Sequence, residues 1–160
     1  MKYIAHRGLV EGPNKDLENR PEQIKRVLDM GYDCEIDLWR IGQKWFLGHD
    51  EPQYEVDEDF VKMDGLWIHC KNLEALYMLT TSTTFLYTFF WHQNDDFTLT
   101  SDGYIWTYPN KDLSNVSIAV MPELYPEYWD YIKKVEIAGV CTDYVEKIKN
   151  EISTMPLWSA

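Results

Sequence analysis

Short apolar runs recur along this chain, and they restrict its fold more than any other feature. They lie at Tyr3 to His6, Cys34 to Leu38, Trp45 to Gly48, Leu66 to Cys70, Phe85 to Phe90, Tyr104 to Thr107, Ser117 to Val120 and Ala138 to Thr142. Each has the length of a strand, and most are continuous rather than alternating, as in strands covered on both faces. Such strands need helices packed over them. A parallel α/β sheet or barrel is therefore expected.

Helices are predicted in four places. Asn19-Arg20-Pro21 opens the first, with Pro21 at an early helical position, Ile24, Val27 and Leu28 along one stripe, and Gly31 closing it. Asn72 caps a second, with Leu73, Leu76 and Tyr77 expected toward the core. Pro126 opens a third carrying Trp129, Ile132 and Val135, and Tyr144 to Ile152 gives a fourth with Val145, Ile148 and Ile152 inward. Elsewhere, at Asn94 to Gly103 and Pro109 to Asn115, the connections are polar and too short for a crossover helix, which takes about a dozen residues. Thr98 to Thr107 reads instead as a hairpin around Ser101-Asp102-Gly103. A complete eight-unit barrel takes about 250 residues, whereas this chain has 160. The expected fold is α/β, a reduced (β/α) TIM-like barrel with several helices shortened or missing, built as one domain over residues 1 to 160.

Charge narrows the function. Fifteen basic and 27 acidic residues leave a net charge of −12, which repels nucleic acid and anionic membrane surfaces. An anionic ligand must therefore meet positive charge locally, from a metal ion, Arg7 or Lys71. No apolar run approaches the ~18 residues of a spanning helix, so membrane insertion is not expected. With a His-Arg pair directly after Tyr3-Ile4-Ala5, no leader peptide is expected. Cys34, Cys70 and Cys141 are odd in number and lie in strand-like runs, which reads as buried, reduced thiols and a cytoplasmic protein. The open strand edges of a stripped barrel favour a homo-oligomer.

The chemistry-bearing residues cluster at strand ends. All four histidines, His6, His49, His69 and His92, follow apolar runs, and strand ends on one face are where parallel barrels keep their chemistry. Glu35 and Asp37 stand two apart in Asp33-Cys34-Glu35-Ile36-Asp37-Leu38, so both carboxylates project to one side of a strand. Either they face a barrel interior, where a divalent cation is needed to bury them together, or they form the exposed face of an edge strand.

His6-Arg7-Gly8 after a first strand, Glu18-Asn19 before a helix, Glu35-x-Asp37 ending the next strand and Gly48-His49-Asp50 closing a short insertion resemble the glycerophosphodiester phosphodiesterase family, within the phosphatidylinositol-type phospholipase C-like superfamily. The run Ala138 to Tyr144 is similar to that family's closing strand and Thr-Asp turn. The resemblance covers roughly half the chain. It implies His6 and His49 as general acid and base, Glu35 and Asp37 as ligands of Mg²⁺ or Ca²⁺, and Arg7 as a phosphate clamp. Lys71 matches a phosphate-facing lysine. His69 stands where the family usually has a Glu ligand. It is read either as a third ligand, which turns preference toward Mn²⁺ or Zn²⁺, or as a hydrogen-bonding or substrate-contacting ring.

Outside the resemblance, His92 reads as a packed, hydrogen-bonded ring or a substrate contact, Glu123 as a rim carboxylate facing substrate, and Trp106 as core or as an apolar wall for glycerol or a headgroup. The function expected is metal-dependent hydrolysis of a small-molecule phosphodiester. The alternatives are an inactive barrel that binds a phosphorylated small molecule or glycan, and a metal-dependent sugar isomerase or aldolase.

Overall fold

A computed structural model describes residues 1–154. The apolar runs pair into a ten-stranded sheet: β1 (Lys2–Ala5), β2 (Asp33–Ile41), β3 (Lys44–Leu47), β4 (Tyr54–Val56), β5 (Leu66–Cys70), β6 (Phe89–Phe90), β7 (Phe97–Leu99), β8 (Ile105–Thr107), β9 (Ser117–Val120) and β10 (Gly139–Thr142). Helices are α1 (Pro21–Asp29), α2 (Glu58–Val61), α3 (Leu73–Thr80), α4 (Pro126–Ile132) and α5 (Val145–Ser153). The fold is mixed α/β. A parallel run passes in the order β6, β5, β2, β1, β10, β9, β8, while β3, β4 and β7 attach antiparallel.

The first and last described strands meet in the middle of this run. β1 pairs with β10 from Lys2↔Gly139 to Ala5↔Thr142. Gly139 permits that approach, since a Cβ there would stand 2.8 Å from the Lys2 Cβ and carbonyl oxygen.

Side-chain alternation sorts the strands into two layers. Ile4, Trp67, Phe90, Trp106, Ile118, Val120 and Cys141 pack on one side of the sheet. On the other side Cys34, Ile36 and Leu38 meet Ile24 and Val27 of α1 and Ala75 and Leu79 of α3. Ala119 and Val140 likewise meet Tyr128, Trp129 and Ile132 of α4 and Ile148 of α5. Each fully buried aliphatic contributes roughly 1.5–3 kcal/mol.

The sheet curls until its ends touch. Phe90 of β6 stacks on Trp106 of β8 at 4.5 Å. No strand pair joins β6 to β7 or β8 among the described residues, so the ladder does not close. Ser101 bridges the gap instead: its N–H donates to the Phe89 carbonyl at 2.8 Å, and its hydroxyl accepts from the Phe89 N–H at 3.0 Å.

Several local expectations change. The run at Phe85 pairs only over Phe89–Phe90. Leu73 and Tyr77 face outward, 74% and 62% exposed, while Ala75 and Leu79 turn inward. The small Ala75 lets α3 lie close, and Asn72 sets its rotation by accepting from the Ala75 N–H and donating to the Arg40 carbonyl. α2 and β4 were not expected; Asp57 starts α2 by accepting from the Phe60 N–H. Among the described residues no helix is long and apolar enough to cross a membrane.

Candidate active site

Residues at the carboxyl ends of the parallel strands converge on one cavity of about 230 Å³, lined among others by His6, Arg7, Glu35, Asp37, His49, His69, His92 and Trp106. A larger cavity of about 620 Å³ lies beside Leu9 to Asn14 and Tyr144, with no histidine in its wall. The candidate residues named from sequence line the smaller one.

Its floor is the carboxylate pair. Alternation along β2 turns Glu35 and Asp37 away from the helices, and both are buried. Cross-strand pairing sets His69 opposite Asp37. One ligand atom from each of Glu35, Asp37 and His69 lies within 4.8 Å of the others, a group capable of holding a metal ion. Two carboxylates and an imidazole suit Mn²⁺ or Zn²⁺ as well as Mg²⁺.

Asp37 is densely partnered. Asn19 donates from Nδ2 to Oδ2 (2.9 Å), while Arg7 Nε stands 3.2 Å from Oδ2 and Lys71 Nζ 3.3 Å from Oδ1. Burial alone would raise its pKa. The His69 bond and the charges of Arg7, His69 and Lys71 outweigh that and hold it far below the usual carboxylate range. Glu35 shifts the opposite way: burial, then the charge of Asp37, raise its pKa, against weaker pulls from His6, His69 and Arg7. One carboxylate is thus compensated by protein groups, while at its neighbour burial and repulsion outweigh the positive groups nearby, which fits a bound cation. His69 Nδ1 lies 3.0 Å from Asp37 Oδ1 and Nε2 3.2 Å from the His92 carbonyl oxygen, so a metal recruiting this ring takes one nitrogen from its oxygen.

Arg7 enters through a left-handed turn. At φ 51° and ψ 25° it occupies a conformation costing about 1–2 kcal/mol for a residue with a Cβ. In return its N–H donates to Glu35 Oε2 (3.1 Å) and its Nη1 donates to Glu18 Oε2 (3.0 Å). Asn19, also left-handed at φ 56°, donates its N–H to the Arg7 carbonyl. Strain of this kind persists only where surrounding bonds over-determine it.

His6 follows β1 and donates from Nδ1 to Asp143 Oδ1 at 2.7 Å, just past the end of β10. Nε2 is then the ring nitrogen left for chemistry. Burial pushes the His6 pKa down, but the Asp143 bond and the charge of Glu35 outweigh it, with Arg7 opposing, and the net shift is upward. Glu123 accepts from the Asp143 N–H (2.8 Å), behind that carboxylate and outside the cavity lining. His49 stands at the rim, 40% exposed, donating from Nδ1 to Asp50 (2.7 Å). Gly48 shapes this rim at φ 148°, where a Cβ would collide with the Glu51 carbonyl oxygen.

The structure therefore gathers His6, Arg7, Glu35, Asp37, His49, His69, His92 and Trp106 around one space, with Lys71 behind Asp37 and Glu123 behind Asp143. Trp106 is buried against Phe90 and Trp67, wall and core at once. Glu18, Asn19 and Asp143 stand in the motifs that carry the resemblance, but none is assigned a site role from sequence. An acidic residue directly after an apolar run, as at Asp143, was the available signal. The three thiols are buried, and desolvation raises the pKa of each, that of Cys70 to about 12, which disfavours the thiolate.

Comparison with protein-family models, with curated proteins and with solved structures found no match to this chain.

Proposed function

We propose that the chain is a metal-dependent phosphodiester hydrolase of the glycerophosphodiesterase kind, acting on a small headgroup diester at the mouth of a reduced barrel. One observation carries the reading: an Asp143-held imidazole, a guanidinium and a three-ligand cluster share a single cavity. Glu35, Asp37 and His69 would hold the ion, which supplies Lewis-acid stabilisation of negative charge on phosphoryl oxygen. Arg7 binds a second phosphoryl oxygen. His6, whose protonated form Asp143 and Glu35 favour, gives its Nε2 proton to the departing alkoxide as that P–O bond breaks. His49 takes the proton of the attacking hydroxyl as the new P–O bond forms.

The test is hydrolysis of an aryl phosphodiester in EDTA and with added Mg²⁺, Mn²⁺ or Ca²⁺. Metal-dependent product release is expected, and its loss in a His6→Ala, His49→Ala double variant. Equal release by wild type and double variant under every metal rules the reading out.

A further inference from the structure

Two cavities meet at the proposed phosphate position, and they differ in chemistry. The inner one, of about 230 Å³, has Phe90, Trp106, Tyr108, Val120 and Met121 along the wall away from the carboxylates. The outer one, of about 350 Å³, is lined by Arg7, Lys15, Glu18, Asn19, His49, Asp50 and Gln53, with no apolar side chain. Arg7 and His49 border both. His6 opens only into the inner cavity.

The inner wall carries one unanswered polar group. The His92 side chain is 7% exposed, and neither ring nitrogen has a hydrogen-bond partner. Asp95 Oδ2, at 3.8 Å, stands beyond bonding reach, and the faces of His92 meet Tyr108 at 4.4 Å and His69 at 6.1 Å. Buried polar atoms are nearly always paired, and leaving one unpaired costs about 1–3 kcal/mol. The two nitrogens of a neutral imidazole, one donor and one acceptor, point in different directions, and an uncharged hydroxyl, able to donate or accept, pairs with whichever of them it reaches. The cavity of about 230 Å³ also includes the space over Glu35, Asp37 and His69 proposed for the ion and phosphoryl oxygen, so only part of it is left for the alcohol. That admits a single ring or a short branched chain.

We propose that the substrate is an unsymmetrical diester, with a small, uncharged, ring-like alcohol bearing one free hydroxyl in the inner cavity against His92, and a polar alcohol in the outer one beside Lys15 and Gln53. This rests on the diesterase reading and adds the identity and direction of the two arms. Phosphate lies between them, where Arg7 and His49 serve both.

Two measurements on the full chain separate this inference from the reading beneath it. Calorimetric binding uses phosphinate mimics with both bridging oxygens replaced by CH2, carrying a hydroxyphenyl or phenyl arm opposite a dihydroxypropyl arm, and the two symmetrical counterparts. Turnover uses the matching diesters with Mn²⁺. The unsymmetrical hydroxyphenyl compound is expected to bind at least tenfold more tightly than either symmetrical one. His92→Phe should reduce the preference for hydroxyphenyl over phenyl about tenfold. Lys15→Ala with Gln53→Ala, both at exposed positions, should weaken binding through the polar arm about tenfold and thus test the orientation should His92→Phe not fold. Binding with this preference but no turnover under any metal overturns the catalytic reading and keeps the substrate class. Turnover without preference between arms overturns the substrate class and keeps the catalytic reading. Absence of both binding and turnover overturns the two together.

Discussion

Replacing Glu35 with glutamine should stabilise the metal-free protein, against the usual result of altering a fully buried residue. The substitution keeps a side-chain oxygen for the Arg7 N–H and removes one of two neighbouring negative charges. Carboxylate oxygens of Glu35 and Asp37 lie within 4.8 Å, and at an effective dielectric near 20 their repulsion is about 3.5 kcal/mol or more. Attraction to His6, His69 and Arg7 returns part of this, leaving a net gain for Glu35→Gln of about 1–2 kcal/mol. For a chain of this size that corresponds to a Tm higher by about 2–8 °C. The sign with pH follows from the raised Glu35 pKa. The fold favours the protonated form, so this contribution is fully present below the unfolded-state value near 4.3 and is lost as pH rises through the folded one. The advantage of the variant should therefore be absent near pH 4 and grow toward pH 7.5 in EDTA. Saturating Mn²⁺ should reverse the order: at 100 times Kd a ligand adds about 2.7 kcal/mol, and the variant loses much of that increment. Circular-dichroism melts of both proteins at the two pH values, with EDTA or Mn²⁺, provide the measurement. A variant less stable than wild type in EDTA at pH 7.5, with no pH trend, would mean that Glu35 is a structural acceptor and refute the poised-cluster argument.

Asp37→Asn should have the opposite effect, losing about 3–5 kcal/mol by urea denaturation because Arg7, Lys71 and His69 then face an uncharged amide. In wild type the depressed Asp37 pKa means that its stabilisation holds above the unfolded value near 3.9 and is lost as pH falls below it; an acid-unfolding midpoint unchanged by the substitution would contradict this. Asp143→Asn should lower the His6 titration midpoint, read by NMR of the imidazole, since burial then acts with less opposition. An unshifted midpoint would remove Asp143 as the group that tunes His6. Iodoacetamide at pH 8 should leave Cys34, Cys70 and Cys141 unlabelled in the native protein and label all three after denaturation, as counted by mass spectrometry.

Strand positions were legible because burial on both faces removes polar residues from the middle of a run, as at Ser117–Val120, where all four residues are buried. Partner direction was not. Trp45 to Gly48 reads like the other runs, yet β3 turns back antiparallel on the long β2, a choice made by the two-residue turn after Ile41. Helix rotation escaped as well, because hydropathy favours Leu73 and Tyr77 as core, whereas distance to the sheet favours Ala75. The carboxylate pair was visible from its spacing of two, a local property. Asp143 as partner of His6 was not, because no local pattern reports a contact across 137 positions.

That separation gives the pairing of β1 with β10 a temporal meaning. Residue 6 leaves the ribosome long before residue 143, and loop-closure entropy delays contacts so distant along the chain. Glu35, Asp37, His69 and Arg7 all belong to the segment through β5, whereas the partner of His6 comes after β10. Only when β10 docks beside β1 does His6 gain its carboxylate. The site proposed above is thus completed late, and a chain stalled before β10 lacks the carboxylate that holds and tunes His6.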